Sequence, residues 1–154
     1  MPSADVVVVG AGLAGLACAG RLAEAGARVT VVAAGNAALT WAAGPLEVAA
    51  PEGAATPRAG LGRLAAQPGP PYAALADDVA PAVAWFTALA AAQGLPFEGD
   101  LDRPIAPLPT ALGAIRPAAI VPAGMAAGLA PWGPGERLVV VGFAGFKDLW
   151  PAAA

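Results

Sequence analysis

Three glycines carry the clearest chemistry in this chain. Gly10, Gly12 and Gly15 stand at the G-x-G-x-x-G spacing, with Ala11, Leu13 and Ala14 between them. At that spacing the backbone turns sharply, approaches a pyrophosphate closely and opens directly into a helix. Gly10 is expected to make the turn, Gly12 to admit the phosphate, and Gly15 to let the helix lie on the strand before it. The free N–H groups of the helix start and its positive dipole end then favour an anion. Gly10 to Gly15 are therefore the candidate phosphate-holding loop.

A partner residue is missing further on. At the end of the second strand a dinucleotide fold usually carries Asp or Glu, which hydrogen-bonds the adenosine ribose. Here the stretch reads Ala33-Ala34-Gly35, with Ala33 in the acid's place. Two readings stay open. Either NAD or FAD is held without that bond, or the ligand has no adenosine ribose, as in FMN. Thr40, Ala43 and Gly44 lie in the small-residue stretch that follows, where the backbone is expected to approach a flavin ring. The alternative is an ordinary loop with Trp41 packed on the core.

Other chemistries are narrowed by composition. The chain has no histidine and one cysteine, Cys18, so it builds neither a His/Cys metal cluster nor an internal disulfide. Cys18 falls in the first helix and is expected to be a small packed residue. Arg103 and Arg116 are candidates to bind a phosphate by forked hydrogen bonds, against a plainer reading as acid-paired surface residues. Glu98, Asp100 and Asp102 are read as a solvated face. No residue is nominated as a general base, and the catalytic residues stay unassigned.

The elements that must position the glycines are legible. Val6 to Val9 read as a buried parallel strand. A helix follows as far as Gly26, with Leu13, Leu16, Ala19 and Leu22 facing the sheet and Arg21 and Glu24 facing water. Arg28 to Val32 make the second strand. Together they form a βαβ unit. Residues 51 to 71 are rich in Gly, Pro and Ala and read as a loop or linker. A helix is expected from Asp77 to Gly94, capped by Asp77 or Asp78, with Pro81 in its first turn. In that helix Trp85 and Phe86 are read as core. From Leu95 to Gly128, residues such as Phe97, Ile105, Leu108, Leu112, Ile115, Ile120 and Val121 suggest small antiparallel strands over the nucleotide unit. Arg137 to Val141 read as a further strand, leading into the start of a cut-off helix.

The expected organisation is thus an α/β Rossmann-like unit over 1–50, a linker over 51–76, a helix with cap-like strands over 77–135, and a final strand over 136–154. A doubly wound sheet needs more strands than these, so an incomplete domain is expected.

The net charge of −3 gives nothing basic enough for nucleic acid. The uncharged run from Pro117 to Gly135 is broken by Pro122, Pro131 and Pro134, so no membrane helix is expected there or elsewhere. The acidic, glycine-containing start does not read as a signal peptide, and a cytoplasmic location is expected.

The opening DVVVVGAGLAGLACAGRLAEAGARVTVV resembles the FAD/NAD(P)-binding flavoprotein superfamily. The next stretch, GNAALTWAAGPLEVAAPEG, resembles the corresponding segment of the B-subunit family of anaerobic glycerol-3-phosphate dehydrogenase. PPYAAL, TALGAIRPAAIVPAG and VVVGFAGFKDLWP follow in that family's order. The resemblance spans nearly the whole chain but only the N-terminal portion of the family's length. It implies a flavoprotein subunit with FMN, or alternatively FAD. A catalytic A subunit and a membrane-anchoring C subunit would be its partners, holding it at the inner face of the cell membrane. The implied reaction is oxidation of sn-glycerol 3-phosphate to dihydroxyacetone phosphate, with electrons passed to quinone. Trp41, Ala42 and Ala43 depart from the family's more polar loop, which weakens any side-chain bond to flavin there. Two other readings stand beside this one: a generic FAD-dependent oxidoreductase fragment, and a non-catalytic Rossmann module.

Overall fold

The computed structural model describes residues 3–35, 38–42, 44–48, 53–69, 71–110, 114–129, 132–137 and 139–145. It divides into two compact units, Met1–Ala43 and Gly44–Ala154.

The first unit is a parallel βαβ. Strand β1 spans Val6–Val9, helix α1 Leu13–Glu24 and strand β2 Val29–Val32. The strands pair in parallel from Val6↔Val29 to Val9↔Val32. Four consecutive β-branched residues in β1 disfavour a helix and suit a pleated ladder. Gly26, with φ +90°, follows α1 and ends it. A 3-10 turn at Ala38–Trp41 follows β2.

This unit is thinly covered. Val7 and Val9 on β1 and Val31 and Val32 on β2 are exposed. Leu13 and Leu16 are exposed as well, at 47% and 44%, so the expected sheet-facing stripe of α1 is only partly buried. Two strands present too narrow a surface to cover a three-turn helix. Cys18 is also exposed, contrary to the expectation of a packed residue. Trp41 is 87% exposed and does not pack on the core.

The second unit holds the buried core. Helix α2 spans Pro57–Ala65 and helix α3 Tyr72–Ala92; strands β3 (Phe97–Gly99), β4 (Ala106–Pro109), β5 (Ile115–Ala118) and β6 (Ile120–Pro122) precede the short helix α4 (Ala123–Ala126). Strands β3 and β6 pair antiparallel, as do β4 and β5. The antiparallel strands read from the sequence are thus present. Leu112, placed among them, lies outside the described residues.

Leu61, Leu101 and Ile120 are buried together, and Leu46, Leu64, Tyr72, Val79, Val83 and Phe97 pack around them. Phe86 meets Phe97 edge to face at 5.3 Å between ring centroids.

Three expectations are corrected here. The stretch read as a linker contains α2. Thr56 caps this helix by accepting the Ala59 N–H at 3.1 Å, Pro57 sits at its start, and Leu61 anchors it in the core. Its two glycines, Gly60 and Gly62, weaken the local helical signal, and tertiary packing overrides them. Residues 49–52 of that stretch lie outside the described residues.

Helix α3 starts at Tyr72, not at Asp77. Pro81 is therefore interior and forfeits one backbone hydrogen bond, and Asp77 and Asp78 are not its cap. Packing of Val79 and Val83 on the core holds the helix through that point. Among the described residues α3 is also the one helix long and apolar enough, by length and composition, to cross a membrane, where the sequence reading places none.

Arg137 to Val141 join no ladder among the described residues. Val139, Val140 and Val141 are exposed at 82%, 49% and 59%. β-branched composition supplies the extended preference, but a strand needs a neighbour to satisfy its backbone. Leu138 and the helix expected after Gly145 lie outside the described residues.

Candidate cofactor-binding site

The site is built on the turn from β1 into α1. Gly10 leaves the ladder with φ +102°, a conformation that L side chains rarely adopt. Its N–H donates to the Val32 carbonyl at 2.8 Å, so the turn is tied to the last residue of β2. Gly15 packs directly on this turn: a Cβ there would stand 2.0 Å from the Gly10 oxygen and 3.5 Å from Val8 Cγ1.

Gly12 differs from both. It is the N-cap of α1, with φ −75° and ψ 175°, which any residue adopts. A Cβ on Gly12 would meet nothing within 4 Å. Neither backbone strain nor internal packing therefore requires glycine at this position. The space beside its Cα is open, as close approach of a phosphate demands.

The start of α1 is electrostatically bare. No side chain caps it and no acidic residue lies in its first turn. The first N–H groups of a helix lack intrahelical partners, and the dipole places partial positive charge there. Gly10, Ala11 and Gly12 make the turn, Leu13, Ala14 and Gly15 open α1, and the Gly10 bond reaches Val32, the residue before Ala33. Ala33, Ala34 and Gly35 are exposed, as is Thr40 on the 3-10 turn. Gly44 belongs to the second unit, where a Cβ would touch Pro122 Cγ at 3.0 Å. Ala43 lies outside the described residues.

The other charged candidates are occupied. Arg116 Nη2 lies 2.8 Å from Glu47 Oε1, and Arg103 Nε lies 2.9 Å from Asp100 Oδ2. Both arginines follow the plainer, acid-paired reading. The acidic cluster is more structured than a solvated face. Asp100 Oδ1 accepts the N–H groups of Asp102 and Arg103 at 2.7 and 2.8 Å. Asp102 accepts from Arg58 Nε and Nη2 at 2.5 and 2.9 Å. The Arg58 hydrogen bonds hold the Asp102 carboxyl below its ordinary value.

The far end of the βαβ unit is clamped by a pair that motif reading does not single out. Asp5 accepts from Arg28 Nε at 3.0 Å, Nη2 at 2.7 Å and backbone N–H at 2.9 Å. The Arg28 side chain, then its backbone N–H, lowers the Asp5 pKa. The only sequence signal is one opposite charge just ahead of each strand. Among the described residues no group of His, Cys, Asp and Glu is arranged to hold a metal ion.

Residues 5–154 match the family model described as FAD binding domain. The chain is 36% identical to the B subunit of anaerobic glycerol-3-phosphate dehydrogenase from Yersinia pseudotuberculosis, over 96% of this chain and 36% of the relative. The B subunits of the same name from Pectobacterium atrosepticum and Mannheimia succiniciproducens are 36% and 32% identical, over 94% and 96% of the chain, and again 36% of their own length. The chain thus spans about a third of the length of these relatives. No solved structure matches it.

Proposed function

This chain belongs to the FAD-binding domain family, and we propose that within it Gly10 to Gly15 form the phosphate grip of a flavin-dependent oxidoreductase subunit. The observation that carries this is Gly12. No strain or internal contact calls for glycine there, and Gly12 is itself the N-cap of the bare start of α1. The family favours FAD as the cofactor, in place of the FMN expected first. FMN stays as the second reading, because Ala33 offers an adenosine ribose no carboxylate.

The chain's own contribution is binding and orientation. Backbone N–H groups at the start of α1 hold the phosphate, and the stretch from Ala33 to Gly35 borders the sugar. Bound flavin supplies the two-electron acceptor that no side chain here provides. Relatedness to the B subunits supports a finer reading. In it the chain works in oxidation of sn-glycerol 3-phosphate to dihydroxyacetone phosphate, the alcohol giving up two electrons and two protons and quinone taking them. Catalytic A and membrane-anchoring C subunits are its partners. In this reading the chain is cytoplasmic and meets the membrane's inner face through a partner.

The test is a visible absorption spectrum of the purified chain, with mass analysis of released cofactor, for wild type and Gly12→Val. A flavin band lost in the variant, with unchanged circular dichroism, supports the grip. Equal flavin content in both proteins refutes it. Release of FAD or FMN decides between the two cofactors.

A further inference from the structure

Among the described residues every buried one lies in the second unit, and the first has none. One face of the β1–β2 ladder carries Val7, Val9 and Val32. All three are exposed in the whole chain, so they are no less exposed on the first unit taken by itself. On the Val8 face lies α1, which leaves Leu13 and Leu16 exposed and contains no buried residue. A two-stranded ladder and a 12-residue helix are each marginal without burial. Gly15 and Gly20, both inside α1, weaken it further. The ties that remain are polar: the ladder itself, the Gly10 N–H to Val32, and the pair of Asp5 with Arg28. That pair is exposed and adds little. The second unit instead closes around Leu61, Leu101 and Ile120.

We propose that the βαβ unit opens as a separate, weaker folding unit, and that the ligand held at Gly10 to Gly15 controls this opening. The turn is where the three elements of the unit meet. Gly10 leaves β1 and bonds to the end of β2, Gly12 caps α1, and Gly15 packs back on Gly10. A phosphate there accepts N–H groups at the start of α1 that no side chain caps. It thus supplies the missing cap at the junction of all three elements. A ligand that binds only the closed unit stabilises that unit and leaves the second as it was. Loading and release of cofactor then follow the opening of residues 5–32, while the second unit stays folded. This rests on the reading that Gly10 to Gly15 hold phosphate.

The experiment is amide hydrogen exchange, read by mass spectrometry of peptides, on the full chain stripped of flavin and then supplied with FAD. Equilibrium dialysis measures the FAD held. In the flavin-free chain, peptides from residues 5–32 are expected to exchange at least about tenfold faster than those carrying Leu61, Leu101 and Ile120. FAD at about a hundred times its dissociation constant should slow residues 5–32 by about a hundredfold and leave the other peptides within about twofold. Equal protection of the two sets in the flavin-free chain overturns the proposal, since the units then open together. Bound FAD that slows both sets alike overturns it as well. FAD that is bound, and lost in Gly12→Val, yet slows neither set overturns control by the ligand and leaves the phosphate grip standing. Absence of FAD binding by dialysis sinks the phosphate-grip reading, and control by the ligand with it.

Discussion

Gly15 lies against the carbonyl oxygen of Gly10 with no room between them: a Cβ on Gly15 would stand 2.0 Å from that oxygen. The contact brings α1 down onto the end of β1 and aims the helix start at the turn. Gly15→Ala must push helix and turn apart, at a cost of about 1–3 kcal/mol. Gly12→Val meets no neighbour at its Cβ; compared as flavin-free proteins it should cost no more than an N-cap change, about 1 kcal/mol, while abolishing flavin binding. Denaturant unfolding followed by circular dichroism separates the two. A Gly15→Ala chain as stable as wild type would show that this close approach is not needed.

The clamp between Asp5 and Arg28 predicts a pH dependence. The folded-state pKa of Asp5 is depressed below its ordinary 3.8. Its contribution to stability is therefore complete above that value and is lost as pH falls through the lower folded pKa. Asp102, held down by Arg58, acts in the same direction. Asp5→Asn should fall below wild type in stability at neutral pH, and the gap should close in acid below the ordinary carboxylate value. Both carboxylates are exposed, so the gap should also shrink with added salt. Acid titrations at two ionic strengths measure it. A gap that widens in acid would contradict the pairing.

The uneven burial of the two units predicts uneven sensitivity. Ile120 is 2% exposed at the centre of the second unit, whereas Val9 is 85% exposed. Ile120→Ala should cost about 2–5 kcal/mol. Val9→Ala should stay within about 0.5 kcal/mol. Urea midpoints of the two variants test this. Comparable losses would mean that Val9 is covered in solution.

Arg116 is held by Glu47 at 2.8 Å, and both side chains are well exposed. Arg116→Ala is expected to change stability by no more than about 1 kcal/mol and to leave flavin content at the wild-type level. Absorbance at matched protein concentration reads the second quantity. A clear loss of flavin would assign Arg116 to the site and overturn the structural pairing.

Cofactor and elements differ in how far residues alone can reach. The three glycines, the strands around them and the antiparallel strands beyond are legible, because each depends on local patterning. Helix α2 is not: its glycines argue against a helix, and Leu61 overrides them only through contacts with Leu101 and Ile120. The start of α3 is displaced in the sequence reading because Pro81 resembles a first-turn proline, and only packing carries the helix through it. The missing carboxylate leaves FAD and FMN both open, the resemblance puts FMN first, and the family match speaks for FAD.

By itself the sequence determined the βαβ unit, the order of its glycines and the absence of charge after β2. These follow from chain-local preferences: β-branched runs, helix periodicity and the conformational freedom of glycine. Only the tertiary structure decided which groups meet. It paired Asp5 with Arg28 across 23 residues and Arg116 with Glu47 across 69. It buried Ile120 while leaving Val9 and Cys18 exposed. The reason is that pairing and burial depend on where distant segments are brought together, and no window of neighbouring residues encodes that distance.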